Sequence, residues 1–181
     1  MNTIPLSNKR ASMLLRANKK ILTEIERACS VKIQINSETT LEKSASITGE
    51  SQGEWVAGQV LLAIELGFSS KDALLLTNDD FYLEQLDLEQ SMRGNQRGVE
   101  RQKARIIGTE GKAKKTLEDL SESKIAINDG PMLGIIGGFD EVSSAKEAIL
   151  QLLEGKPHQS VFSYLEEQQR RREARRLGAK V

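Results

Sequence analysis

Cysteine and histidine are almost absent, with one residue of each among 181. A single thiol excludes an internal disulfide, and Cys29, mid-pattern in a helix, is expected to be a small buried apolar residue. His158 lies in the other half of the chain. Neither residue has neighbours that complete a metal-ligand spacing or a Ser-His-Asp set, and no Walker-type loop occurs. Asp79-Asp80 is explained more simply by helix termination than by cation binding. No catalytic residue, no metal site and no cofactor are therefore expected, and the chain is not read as an enzyme. Aromatic residues make up 4% and hydrophobic residues 38%, enough for one core of ordinary size or two small ones. Neither a charged-then-apolar leader nor an apolar run of about 18 residues appears. Export and membrane spanning are not expected, which leaves the cytoplasm.

Charge of either sign is not in excess: 26 Lys and Arg balance 26 Asp and Glu. The balance hides segregation. Residues 1–37 carry 7 basic and 2 acidic groups, 38–90 carry 2 and 11, 91–127 carry 9 and 5, 128–155 carry 1 and 5, and 156–181 carry 7 and 3. Three positive blocks of this kind create a local potential that attracts phosphates while the rest stays acidic.

The motif with most content is Arg105-Ile106-Ile107-Gly108-Thr109-Glu110-Gly111-Lys112, a Gly-x-x-Gly loop between an apolar pair and a lysine-studded helix. Glycines at both ends permit backbone angles that other residues resist, so a sugar-phosphate chain can approach the main chain. The helix that follows presents free N–H groups to an anion. Lys112, Lys114 and Lys115 add positive charge, and Ile106 and Ile107, with Ile125 and Ile127 from the next strand, are expected to floor the groove for unstacked bases. Two glycines at this spacing are weak evidence alone. Their context is helix, loop, helix, a β-branched strand over 124–128, a turn, a second apolar run over 132–136 and a helix over 139–153. This is the order expected of a KH domain, whose GxxG loop clamps about four nucleotides.

Sliding the chain against itself by 92 positions (108 minus 16) superimposes its halves. Leu14-Leu15 falls on Ile106-Ile107, Ile25-Glu26 on Leu117-Glu118, and the strand 31–35 on 123–127. Arg16-Ala17-Asn18-Lys19 occupies the place of Gly108 to Gly111. Without glycines the first copy is a degenerate module. Either it touches phosphates through Arg16, Lys19 and Lys20, or it is a scaffold copy with a solvated basic rim.

The fold class is thus α+β, two tandem type I KH modules, each a three-stranded antiparallel sheet with helices on one face, followed by a C-terminal basic helix. The expected divisions are a degenerate module over 1–66, a connecting helix and lead-in strand over 67–90, the GxxG module over 91–155 and a basic helix or tail over 156–181. Ser69 caps the connecting helix. Residues 91–103, with Gly94, Gly98, Arg93, Arg97 and Arg101, are either a flexible basic lead-in or part of the RNA path, the second being favoured because the stretch delivers the chain to the GxxG loop. Val161, Phe162 and Leu165 dock the last helix, while Arg170, Arg171, Arg172, Arg175 and Arg176 are expected to project into solvent toward nucleic acid or an acidic partner.

Nearly the whole chain resembles the partner-of-Nob-one (Dim-two) family of two-KH-module pre-ribosomal RNA processing factors. The resemblance rests on 105–112 with Lys114-Lys115, on Gly67-Phe-Ser-Ser-Lys-Asp-Ala-Leu74, and on Leu153-Glu-Gly-Lys-Pro-His158 through Tyr164-Leu-Glu166. A first module that starts almost at the N-terminus suggests the archaeal form. The resemblance implies a factor that binds near the 3′ end of small-subunit ribosomal RNA and cooperates with the Nob-type endonuclease that trims it. Two departures are notable. Thr109-Glu110 stands where many relatives carry a basic residue, and Arg16 to Lys19 where archaeal relatives often keep glycines. The alternative reading is a protein-protein adaptor in translation, docked on the alpha subunit of initiation factor two.

Overall fold

Alternation in Lys32-Ile33-Gln34-Ile35 sends the isoleucines to one side of a strand and the polar residues to the other. The computed structural model, which describes residues 2–17, 19–37, 43–91 and 96–178, builds such strands into two sheets. The chain divides into two units, Met1–Phe81 and Tyr82–Val181.

In the first unit, β1 (Asn2–Leu6) leads into α1 (Asn8–Ala17) and α2 (Lys19–Cys29), then β2 (Lys32–Ser37), β3 (Lys43–Thr48) and α3 (Ser51–Leu66). The antiparallel sheet has the order β1-β3-β2, with Ile33 opposite Ile47 and Ile4 opposite Ala45. Leu14, Ile25, Ile47, Leu61 and Ile64 are fully buried within this unit. Each such side chain contributes roughly 1.5–3 kcal/mol of transfer free energy. The short helix α4 (Ser70–Ala73) follows, and the Ser69 hydroxyl accepts from the Asp72 N–H at 3.1 Å as its N-cap.

The second unit repeats the order. β4 (Tyr82–Asp87) is followed by the single turn α5 (Leu88–Ser91), α6 (Gln96–Ile107), α7 (Lys112–Ser121), β5 (Lys124–Ile127), β6 (Met132–Gly137), α8 (Phe139–Leu153) and α9 (His158–Arg176). The sheet order is β4-β6-β5, again antiparallel. Leu117, Ile125, Leu133, Ile135, Ile149 and Leu165 lie in one buried cluster that joins sheet, α7, α8 and α9. The expected connector over 67–90 is therefore divided, because residues 82–90 pair and pack with the second unit. Residues 96–103 are not a flexible lead-in but belong to α6, the helix expected before the loop, since Val99 and Ile106 bury one of its faces. Arg93 and Gly94 lie outside the described residues.

The internal repeat is visible in side-chain detail. Glu26 Oε1 accepts from the Ile33 N–H at 2.9 Å, and Glu118 Oε1 accepts from the Ile125 N–H at 2.8 Å. Both members of each pair are offset by 92 positions (118 minus 26, 125 minus 33). At the same offset, Ser30 and Glu122 turn the chain out of α2 and α7 with φ of 55° and 61°. A carboxylate on the second helix thus tethers the following strand in both units.

Candidate nucleic-acid interface

The backbone of the GxxG loop is one that glycine alone adopts readily. Gly108 has φ 71° and ψ 179°, and a Cβ on it would stand 2.5 Å from Ala113 Cβ. Gly111 has φ 74°, yet a Cβ there would meet nothing within 4 Å. The first glycine closes the packing of α7 against the loop. The second stands beside open space. No side chain caps α7; the Gly111 and Lys112 N–H groups donate to the Gly108 and Thr109 carbonyls, and the positive end of the helix faces the same place. Glu110, at φ 55°, is exposed between the glycines.

Charge around this loop is partly neutralised. Lys112 Nζ lies 2.9 Å from Glu110 Oε2, with both side chains about three-quarters exposed, so the pair contributes little. Lys114 pairs with Glu118 at 3.1 Å across one turn and is half-buried. Lys115 is exposed. The Glu110 carboxylate turns onto the neighbouring Lys112.

Several expected contact residues serve the fold instead. Ile106 is 0% exposed and Ile125 is 2% exposed, both in the core, so neither reaches a ligand. Ile107, 36% exposed, and the half-buried Ile127 remain available. Arg105 turns away from the loop: its guanidinium donates to the Lys156 carbonyl, and its own carbonyl lies 2.9 Å from His158 Nε2. It ties the end of α6 to the segment joining α8 and α9. Arg97 and Arg101 are exposed one turn apart on α6, while Lys103 is buried and donates to the Asp129 carbonyl at 3.0 Å. Lys20 is exposed on α2; the side chains of Arg16 and Lys19 lie outside the described residues.

The C-terminal arginines do not all project into solvent. Arg172 is 5% exposed. Its guanidinium donates to Ser144 Oγ at 2.9 Å and to the carbonyls of Leu120 and Ser121 at 3.0 and 3.2 Å, closing the end of α7. Arg175 pairs with Asp140 at 3.3 Å, and Arg176 bridges Glu122 and Glu141 at 2.9 and 2.8 Å. Arg170 and Arg171 face Glu166 and Glu167 one turn earlier. Arg172, with Arg175 and Arg176 at its rim, thus holds α9 on α7 and α8, while Arg170 and Arg171 pair within α9. The signal was present: Val161, Leu165 and Arg172 are the buried residues of α9, at spacings of 4 and 7 that mark one face.

Burial raises the Cys29 thiol above its usual pKa, which disfavours the thiolate. Among the described residues, no group of three or more His, Cys, Asp or Glu is placed to hold a metal ion, and no helix is long and apolar enough to cross a membrane.

This geometry has counterparts. Residues 82–170 match the family model for the second KH domain of PNO1, described as a eukaryotic type KH domain of type I. The pre-rRNA-processing protein PNO1 of Debaryomyces hansenii is 28% identical over 165 residues, which cover 90% of this chain and 64% of that protein. The crystal structure of Dim2p from Pyrococcus horikoshii is 31% identical with a TM-score of 0.79, covering 92% of this chain and 99% of that one. In the a/eIF2alpha-aDim2p-rRNA complex from the same organism, the matching chain is 31% identical with a TM-score of 0.81, and coverage is 93% of each. With an α+β KH-type architecture, a GxxG loop opening α7 and a relative of this identity covered almost end to end, the chain belongs to the PNO1/Dim2 family of KH-domain proteins.

Proposed function

We propose that this chain is a tandem-KH factor of small ribosomal subunit biogenesis, working in the cytoplasm by binding single-stranded RNA rather than by catalysis. Its second unit clamps the strand near the 3′ end of small-subunit ribosomal RNA, and a Nob-type endonuclease then cuts the presented RNA. The observation that carries this reading is Gly111: a left-handed glycine beside an uncapped helix start, with nothing within 4 Å of the position where its Cβ would stand. The positive end of α7 is open to a phosphate at that point without a side chain in the way. Gly108, Thr109, Lys112 and Lys115 frame the contact, Ile107 and Ile127 supply apolar surface, and Arg97 and Arg101 extend the positive path along α6.

The first unit is read as a degenerate KH module, supported by its matching strand order and by the shared glutamate tether. It serves as scaffold, with Lys20 on an exposed edge. Relatives named as pre-rRNA-processing proteins and a structural neighbour complexed with rRNA support the ribosomal assignment. That neighbour also contains a/eIF2alpha, which favours the alpha subunit of initiation factor two as a second partner of this chain. A pure adaptor role is the other reading. It is favoured by the internal neutralisation of Lys112 and of the α9 arginines.

Ultraviolet crosslinking in the host cell, with mapping of the attached RNA, separates the two. Adducts at the 3′ region of small-subunit ribosomal RNA, joined to the peptide spanning 105–115, are expected. Adducts spread over messenger RNA, or recovery of the initiation factor with no RNA attached, would overturn the assignment.

A further inference from the structure

The start of α8 carries two features that the GxxG clamp does not use. One is aromatic. Phe139, the first residue of α8, is 76% exposed, with its ring centroid 6.4 Å from that of Tyr82 and the planes inclined by 32°. Together with Lys146 they line a shallow depression of about 440 Å³ that reaches Ser143. The other feature is a polar cleft of about 130 Å³ that also includes Ser143, lined by Arg171, Arg172 and Arg175 with Asp140. Arg172 is buried, and its Nε has no hydrogen-bond partner. No side chain caps α8, a helix of 15 residues, so its leading N–H groups face the same end.

An exposed phenylalanine beside a half-buried tyrosine, and an arginine cleft that shares Ser143 with them, have the chemistry to take a base and its phosphate. We propose that this surface is a second RNA contact, in which a base stacks on Phe139 and the adjoining phosphate enters the cleft between Arg171 and Arg175. The inference rests on the RNA-binding reading given above. Aromatic stacking tolerates any base because every base has a π-face, and arginine supplies the planar donors that phosphate takes. Asp140 and Glu167 hold Arg175 and Arg171, but these are exposed pairs that contribute little. Exchanging a carboxylate for a phosphate is therefore cheap, while Arg172 stays fixed by the α7 carbonyls. The Glu84–Lys146 pair, at 2.5 Å, borders the aromatic side.

The two contacts are well separated. The GxxG loop opens α7 and Arg172 grips its last carbonyls, so a ten-residue helix lies between them, about 15 Å. A strand of about four nucleotides is taken up entirely by the clamp and has none left to cross that distance, so only a longer strand engages both sites.

The test is fluorescence anisotropy on the full chain with two single-stranded RNAs, one of about four nucleotides and one roughly three times as long. Phe139→Ala and Arg171→Gln/Arg175→Gln remove only exposed groups, and circular dichroism checks the fold. The expected result is a loss of about five- to ten-fold for the long strand in each variant, within the range for one stacked base, and no change for the short one. Equal affinity of wild type and Phe139→Ala for the long strand overturns the proposal, and leaves the aromatic pair to a protein partner. Loss for both strands also overturns it, since the residue would then belong to the primary groove. Failure of wild type to bind either RNA is failure of the underlying reading instead. Gly111→Asp separates these cases, because it acts on the short strand as well.

Discussion

Gly108 and Gly111 stand three residues apart, and their duties differ. The first sits where a methyl group would press to 2.5 Å from Ala113 Cβ, the second where a methyl group would touch nothing. Gly108→Ala therefore combines a close contact with a backbone angle hostile to side chains, and is expected to lower stability by about 1–3 kcal/mol in urea denaturation. A variant as stable as wild type would mean that the loop relaxes freely and that its shape is not enforced. This division is only half legible in a sequence. The motif shows where glycine is needed, while space around each one depends on α7, which begins at the next residue. Ile106 and Ile107 illustrate the same limit. Adjacent isoleucines at a helix end point about 100° apart, so one enters the core at 0% exposure and the other lies 36% exposed, and composition cannot say which.

At the scale of elements, α9 behaves as a strap whose inner face ends in a charge. Arg172 satisfies two carbonyls at the end of α7 and the Ser144 hydroxyl on α8, groups that are buried or half-buried. Arg172→Ala removes the guanidinium from the Leu120 and Ser121 carbonyls, while the Ser144 hydroxyl keeps its bonds to the Asp140 and Glu141 carbonyls, and is expected to cost about 3 kcal/mol, with α9 becoming sensitive to protease. Binding of a short RNA to the GxxG loop is expected to survive in folded molecules, since that loop is at the other end of α7. A cost below about 1 kcal/mol would show that the latch is decorative. A dense arginine run reads as a solvated tail because charged residues are seldom buried. The spacing of Val161, Leu165 and Arg172 is what contradicts that reading. Element order is far more legible. The 92-residue offset seen in the sequence reappears as the paired Glu26–Ile33 and Glu118–Ile125 hydrogen bonds. One carboxylate in each unit fastens the second helix to the next strand, a contact that periodicity alone does not reveal.

For the whole molecule, a balance of 26 basic and 26 acidic groups becomes informative only when located. In the second unit much of it cancels on the spot: Arg175 with Asp140, Arg176 with Glu122 and Glu141, Lys114 with Glu118. Among the described residues, Lys115, Arg97, Arg101 and Lys124 of the basic block 91–127 remain exposed, beside a lysine shared with Glu110. On the proposed function, affinity for RNA is therefore expected to depend on backbone geometry at the loop more than on accumulated charge. The most direct measurement is the affinity of wild type and Gly111→Asp for a single-stranded mimic of the 3′ end of small-subunit ribosomal RNA, at one salt concentration, with the fold of both checked by heteronuclear NMR. Aspartate tolerates the left-handed angle and enters open space, so the fold is expected to persist while its carboxylate repels the phosphate and lowers affinity at least about 100-fold. Equal affinity in two equally folded proteins would contradict the account.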